Sequence, residues 1–308
     1  MGYGNLTEFI LLGLFHNEDV EAMCSVLFLF CYLAILCGNL VVVLTIRFSH
    51  LSEYPMYFFL SYLSFMDVCF TSTVAPKLII DFLVECNTIS YSGCIVQMFF
   101  AHFFGATEIF ILVVMAYDRY VAICRPLYYM ISMNRPVCYI LVIVSVIGAF
   151  IHSLLHVLIV IRLPFCDTKE IDHYFCDIFP LLKLACTDTR FFIIIIITTT
   201  GVLSILTFIA LIISYVIILS TLKTCSSKGR HKALSTCGSH ITVVFMFFLP
   251  LIFTYVPMSD SVGDDKVFAL FYTMIAPLFN PLIYTLRNTD MKNAMRKVWC
   301  QEKLFEKK

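Results

Sequence analysis

The sequence predicts an all-α membrane protein built as a seven-transmembrane helix bundle, with its N-terminus outside and a short amphipathic helix after span 7. Three observations predict it. Of 308 residues, 60% are hydrophobic and only 14% charged, with a mean hydropathy of +0.91. A soluble domain averages roughly 45–50% apolar and about 25% charged, so this chain cannot coat a soluble surface. The apolar residues fall into seven stretches of membrane-spanning length. The basic residues collect on one side of those stretches. An ordinary cytosolic enzyme, a nucleic-acid binder and a disordered regulator are thereby excluded, and the net charge of zero argues equally against a polyanion surface.

A membrane helix needs about 20 mostly apolar residues. Residues 23–46, 57–80, 95–118, 137–161, 191–219, 238–257 and 267–286 meet that length. Span 1 follows a segment, Met1 to Glu21, with four acids and no Lys or Arg, so it reads as an uncleaved anchor rather than a cleaved signal. Span 2 opens with PMYFFLSYLSFMD, residues 55–67, and span 3 ends in MAYDRYVAIC, residues 115–124. Span 4 carries His152 and His156, four apart on one helix face, in a context too poor in further ligands for a metal site. In span 5, Phe191 to Ile197 is apolar on every side, which rules out the alternation of a β-barrel. Ser214-Tyr215 closes that span. Span 6 begins with KALSTCGSH, residues 232–240, and contains Pro250, which should weaken the helix locally. Span 7 contains PLFNPLIYTLRN, residues 277–288. Beyond it, Thr289 to Trp299 can form an amphipathic helix on the membrane surface, with Met291, Met295, Val298 and Trp299 apolar and Lys292, Arg296 and Lys297 facing anionic lipid. Cys300 is a candidate for acylation. No repeat or linker divides the chain, so 1–308 reads as one domain with an extracellular N-terminus (1–22), a long outer loop (162–190) and a cytoplasmic tail (287–308).

Orientation follows from charge. Fifteen of the twenty-one Lys and Arg, Arg47, Arg119, Arg125 and Arg135 among them, sit on the side of the tail, which is therefore inside. Acids such as Glu18, Asp167, Glu170, Asp172, Asp177 and Asp265 sit opposite. Asn5-Leu6-Thr7, a glycosylation acceptor, falls outside. Cys94, Cys166, Cys176 and Cys186 also fall outside, where disulfides persist. Pairing Cys94 with Cys176 would staple the loop over the bundle, and pairing Cys166 with Cys186 would close a ring within it. Cys86 is left over, and the connectivity stays open.

Taken together, the quoted segments, with the outer loop LPFCDTKEIDHYFCDIFPLLKLACTDT (residues 163–189), resemble vertebrate odorant (olfactory) receptors of the rhodopsin-like G-protein-coupled superfamily nearly end to end. Departures from rhodopsin-like receptors at large narrow the match. The chain's only Trp is Trp299, so span 6 lacks a tryptophan, with Phe248 near that level, and Val146 stands where span 4 often carries Trp.

The resemblance implies a plasma-membrane, multi-pass protein of sensory cilia that binds a small volatile odorant, activates a stimulatory olfactory G protein and raises cyclic AMP. It implies a switch of Asp118, Arg119, Tyr120, Tyr215, His240, Asn280, Pro281 and Tyr284, in which Arg119 leaves Asp118 on activation. It places Asp67 and Glu108 around a sodium pocket. These two acids, with Asn39 and Asn280, are also the deepest polar residues of their spans, where an ionisable group is expensive and faces the bundle interior. A sodium ion or a shared proton is expected there, and no other cofactor.

The ligand pocket is expected between spans 3, 5, 6 and 7, in the outer half. One face of span 3 runs Ala101, His102, Gly105, Ala106, Ile109. Span 5 offers Thr199, Thr200 and Leu203; span 6 offers Phe248, Leu251, Ile252 and Tyr255; span 7 offers Leu270, Thr273 and Met274. Ala101 stands where amine receptors place an Asp, and no Arg or Lys lies deep in the outer half, so the expected ligand is neutral. Nothing in the chain forms a Walker loop, an HExxH or a convergent nucleophile and base, which argues against an enzyme. Seven spans without repeated halves argue against a transporter.

Overall fold

The computed structural model describes residues 7–14, 18–84, 87–166, 169–222, 227–255 and 264–299. Seven helices among them are long and apolar enough to cross a membrane. They are α1 (Glu18–Arg47), α2 (Pro55–Val84), α3 (Tyr91–Cys124), α4 (Arg135–Val160), α5 (Arg190–Leu222), α6 (Ser227–Tyr255) and α7, which runs without a break through Asp264–Leu270, Phe271–Ile275 and Ala276–Arg287. Each overlaps its predicted span. The helices extend beyond the hydrocarbon-length stretches because polar caps continue them at the interface. Ser90 accepts from the Gly93 N–H at the start of α3, and Asn134 accepts from the Val137 N–H before α4. The eighth helix, α8 (Thr289–Trp299), buries Met291 and Ala294, and its Trp299 indole N–H donates to Thr45 Oγ1 at 2.9 Å, seating it against α1.

Packing follows the apolar faces. The α2, α3, α6 and α7 helices form the centre, with about half of each membrane window buried, whereas α1 and α5 keep most of theirs outward. Outward Leu, Ile, Val and Phe side chains are what a lipid-facing surface requires. Gly38 lets α1 approach α7: a Cβ there would lie 3.0 Å from Pro281 Cγ.

Two helices are wound wider for about one turn, at Ile197–Val202 in α5 and Phe271–Ile275 in α7. Such π turns leave carbonyls off the regular ladder and are frequent at functional sites. In α7 the freed Thr273 carbonyl accepts from Thr71 Oγ1 of α2 at 3.1 Å. Asn39 of α1 donates to the Pro277 carbonyl at 3.0 Å, just past the same turn. Helix α6 continues through Pro250.

The outer face carries a small sheet that the periodicity did not suggest. Strand β1 (Glu8–Leu11) pairs antiparallel with β2 (Thr88–Ser90) and parallel with β3 (Glu170–Ile171). Phe9 and Leu11 point into the core. Two disulfides, Cys94–Cys176 and Cys166–Cys186, hold the outer loop over the bundle in the expected pairing. Asn5, Cys86 and Cys300 lie outside the described residues.

Candidate functional site

The disulfide to Cys94 at the top of α3 draws Cys176 into the core, and its neighbours Phe175 and Asp177 with it. These two roof a cavity whose walls are Ala101, His102, Gly105, Ala106 and Ile109 from α3, Phe70 from α2, His152 from α4, Thr200 from α5, Phe247, Leu251 and Tyr255 from α6, and Tyr272 from α7. Its free volume is about 50 Å³. Small-molecule sites are typically roughly 300–1,000 Å³ and mostly apolar with a few placed polar groups. This one shares that apolar lining with a few polar groups but is tighter, so a ligand must displace side chains as it enters.

Of the residues the sequence nominated, His102, Gly105, Ala106, Ile109, Thr200, Leu251 and Tyr255 line this cavity. Thr199 and Leu203 border a small adjoining cavity beside His152 and Ile109. Phe248, Ile252, Leu270, Thr273 and Met274 do not line either. Phe248 is turned away by one helical position, stacking on Phe208 at 5.8 Å, and its neighbour Phe247 faces the cavity instead. The Thr273 hydroxyl is engaged by Tyr174 at 3.0 Å and the Ala269 carbonyl at 2.8 Å. Met274 is packed into the core, and Leu270 and Ile252 pack against it.

The spans gave no signal for Asp177, the one acid in the lining among the described residues. Its position next to a disulfide cysteine is the sequence feature that would have found it. It is the N-cap of a short helix, Ile178–Lys183, accepting from the Ile178 N–H at 2.7 Å. The Tyr255 hydroxyl reaches both its oxygens, at 3.1 and 3.3 Å, and His102 Nε2 lies 3.6 Å away. The three histidines adjoin one another, His102 against His156 at 4.9 Å and His156 against His152 at 4.3 Å between ring centres. Lys266 is tied down by Asp172 at 2.6 Å and the Gly13 carbonyl at 3.1 Å. Beside it, burial pushes the His173 imidazole down to about 4, and burial also raises the Tyr174 hydroxyl.

At mid-bundle, Asn280 Nδ2 donates to both oxygens of the buried Asp67, at 3.1 and 2.9 Å. Glu108 is 1% exposed, and its Oε1 has no hydrogen-bond partner.

At the inner end, Arg119 donates to Asp118, its Nε lying 2.9 Å from Oδ2. Tyr129, on the short helix Tyr129–Ser132 after α3, donates to the other oxygen, Oδ1, at 2.9 Å. Burial and the Asp118 charge raise the Tyr129 hydroxyl. The Tyr215 hydroxyl and His240 Nδ1 are hydrogen-bonded, joining α5 to α6. Tyr284 is buried with its hydroxyl unpartnered, Tyr120 is half-buried next to Arg119 at the end of α3, and Pro281 packs at Gly38.

Comparison with known proteins gives one answer over the whole chain. The family described as "Olfactory receptor" matches residues 28–302. Among individual relatives, human Olfactory receptor 4S2 is 52% identical over 304 residues, covering 99% of this chain and 98% of the relative. Human Olfactory receptor 4B1 is 51% identical, covering 97% and 96%. Mouse Olfactory receptor 4B13 is 51% identical, covering 97% and 98%.

Proposed function

The chain belongs to the olfactory receptor family, and on that premise we propose that it binds a small, mostly neutral volatile in the cavity under Phe175 and activates a stimulatory olfactory G protein to raise cyclic AMP. As a member of that family it is a multi-pass plasma-membrane receptor, coupled to G proteins, and not an enzyme. The observation that carries the ligand reading is the cavity itself. Its walls are mainly apolar, its polar groups are few, and among the described residues no Lys or Arg lines it. Such a site rewards burial of hydrocarbon, at about 25 cal/mol per Å², more than it rewards charge.

Signalling requires that occupancy of this cavity bias the inner end. The Arg119–Asp118 pair and the Tyr215–His240 bond close that end, and ligand shifts the balance toward a form in which Arg119 is released. Sensory cilia are the place where such a receptor would act.

The test is cyclic AMP in cells expressing the full chain with the stimulatory olfactory G protein, across neutral volatiles, acids and amines. Responses to neutral volatiles that vanish in Arg119→Ala, at equal surface level, are expected. Responses to amines or acids alone would overturn the neutral-ligand reading, and silence to every class would overturn the receptor pairing.

We further propose that Asp67, Glu108 and Asn280 hold a sodium ion or a shared proton. The unpartnered Glu108 oxygen, in a site with a second carboxylate and an amide, suits a small cation with oxygen ligands. Converting Asp67→Asn and Glu108→Gln together should abolish any sodium dependence of activation; an unchanged sodium response would sink the site.

A further inference from the structure

The polar end of the cavity crowds acceptors around the Tyr255 hydroxyl, and the Tyr272 hydroxyl, also in the lining, makes no hydrogen bond to them. His102 Nδ1 lies 2.9 Å from the Met98 carbonyl oxygen, which can only accept, so Nδ1 carries a proton. In the neutral ring Nε2 is then a bare lone pair. That lone pair faces the Tyr255 hydroxyl at 3.4 Å and Asp177 Oδ1 at 3.6 Å. The hydroxyl also sits 3.1 and 3.3 Å from the two Asp177 oxygens. One Tyr255 proton therefore stands before three acceptor atoms and serves one at a time. Asp177 Oδ1 has a second donor in the Ile178 N–H, whereas Oδ2 has, among the described residues, none besides Tyr255. Asp177 is 2% exposed, and a buried acceptor left without a donor is costly.

We propose that the cavity selects hydrogen-bond donors: small alcohols or phenols whose hydroxyl donates to the Asp177–His102 acceptor cluster while the hydrocarbon lies against Gly105, Ile109 and Leu251. This rests on the reading that the cavity takes a neutral volatile. A ketone, aldehyde or ether of the same shape brings an acceptor to a cluster of acceptors and leaves it a proton short. The α5 wall holds a different group. Thr198 and Thr199 donate back to the Ile194 and Ile195 carbonyls at 2.7 and 2.8 Å, but the buried Thr200 hydroxyl has no partner. A carbonyl ligand would use that donor or the Tyr272 hydroxyl rather than the Asp177–His102 cluster.

The experiment uses matched sets sharing one carbon skeleton: straight-chain alcohols of five to ten carbons with their ketones and methyl ethers, and phenol with anisole. Two readouts are taken on the full-length receptor, cyclic AMP in cells and the ligand-induced rise in melting temperature of purified protein, which does not pass through the G protein. Alcohols and phenols are expected to act at concentrations about tenfold or more below their ketones and ethers, as expected for one hydrogen bond to a charged group. Asp177→Asn keeps the cap on the Ile178 N–H and adds a donor, so it should abolish or invert that preference. Thr200→Val should leave the preference in place. Ketones or ethers matching the alcohols, or an unchanged preference in Asp177→Asn at normal surface level, would overturn the proposal while leaving the neutral-volatile reading intact. Absence of any response and of any melting shift, across these sets and the wider panel, would overturn both.

Discussion

Asp118 is buried completely, and its two oxygens divide the contacts that hold it. Oδ2 meets Arg119 and Oδ1 accepts from Tyr129. A hydrogen bond to a charged group contributes about 1.5–3 kcal/mol. Tyr129→Phe removes one of them from the closed form only, so ligand-free signalling should rise about fivefold or more, read as basal cyclic AMP at matched surface level; unchanged basal output would show the bond is made in both forms. The Asp-Arg-Tyr motif announces the pair in sequence, but Tyr129 arrives through a four-residue helix that no periodicity marks. Asp177 was hidden for a like reason: its place is set by a disulfide, and a loop has no facing rule. His173 makes a second prediction, in pH. Burial holds it at about 4, against roughly 6.5 for a free imidazole, so between these values the unfolded chain binds the proton and the folded one does not. The stability of the neutral ring is full above about 6.5 and is lost as pH falls toward 4, on the order of 3 kcal/mol across that window. Its Nδ1 accepts from the Phe175 N–H at 3.4 Å, which an Asn could also do. The melting temperature of purified wild-type receptor should drop from pH 7.5 to 5, and His173→Asn should drop less.

At the scale of elements, the seven helices were legible because a bilayer allows one way of burying a backbone: about 20 apolar residues in a self-satisfied helix. The outer sheet was not. Strand β1 spans four residues, Glu8–Leu11, and its partners lie about 80 and 160 residues along the chain. Phe9, Ile10 and Leu11 do not alternate apolar with polar, so period two is invisible there even though Phe9 and Leu11 turn inward. The π turns were equally silent, since they depend on tertiary partners such as Thr71 rather than on local propensity. The one-position difference between Phe247 and Phe248 is the same lesson within α6: a run of apolar residues does not say which of two adjacent rings faces a cavity. Strand β1 nevertheless knits both outer connections together, with the fully buried Phe9 ring edge-on to Phe165 at 5.5 Å. A buried Phe→Ala change costs about 3–5 kcal/mol. Phe9→Ala should lower the melting temperature and the surface level of the receptor while leaving the ligand ranking unaltered; a normal melting temperature would mean the strand is not docked in the membrane-embedded protein.

The whole molecule has its polar machinery at three depths: the Asp177–His102–Tyr255 cluster under the outer loop, Asp67 with Asn280 and Glu108 at mid-bundle, and Asp118–Arg119 at the inner end. Helix α3 contributes His102, Glu108 and Arg119 to all three, so one rigid element passes through every level. If ligand and inner contacts bias the same two-state equilibrium, linkage makes the coupling reciprocal: whatever weakens the closed inner end must tighten ligand binding by the same factor. A receptor that is open only a fraction of the time binds with its affinity reduced by that fraction. Tyr129→Phe therefore carries a second consequence beyond raised basal signalling. With a fivefold larger open fraction, the same odorant should act at a concentration lower by up to about fivefold, and its melting shift should appear at correspondingly lower ligand, although Tyr129 lies at the inner end of the bundle and touches no part of the cavity. Raised basal signalling with an unmoved ligand midpoint would separate the two ends, showing that Tyr129 acts on the G-protein contact alone and that α3 does not transmit occupancy as a single body.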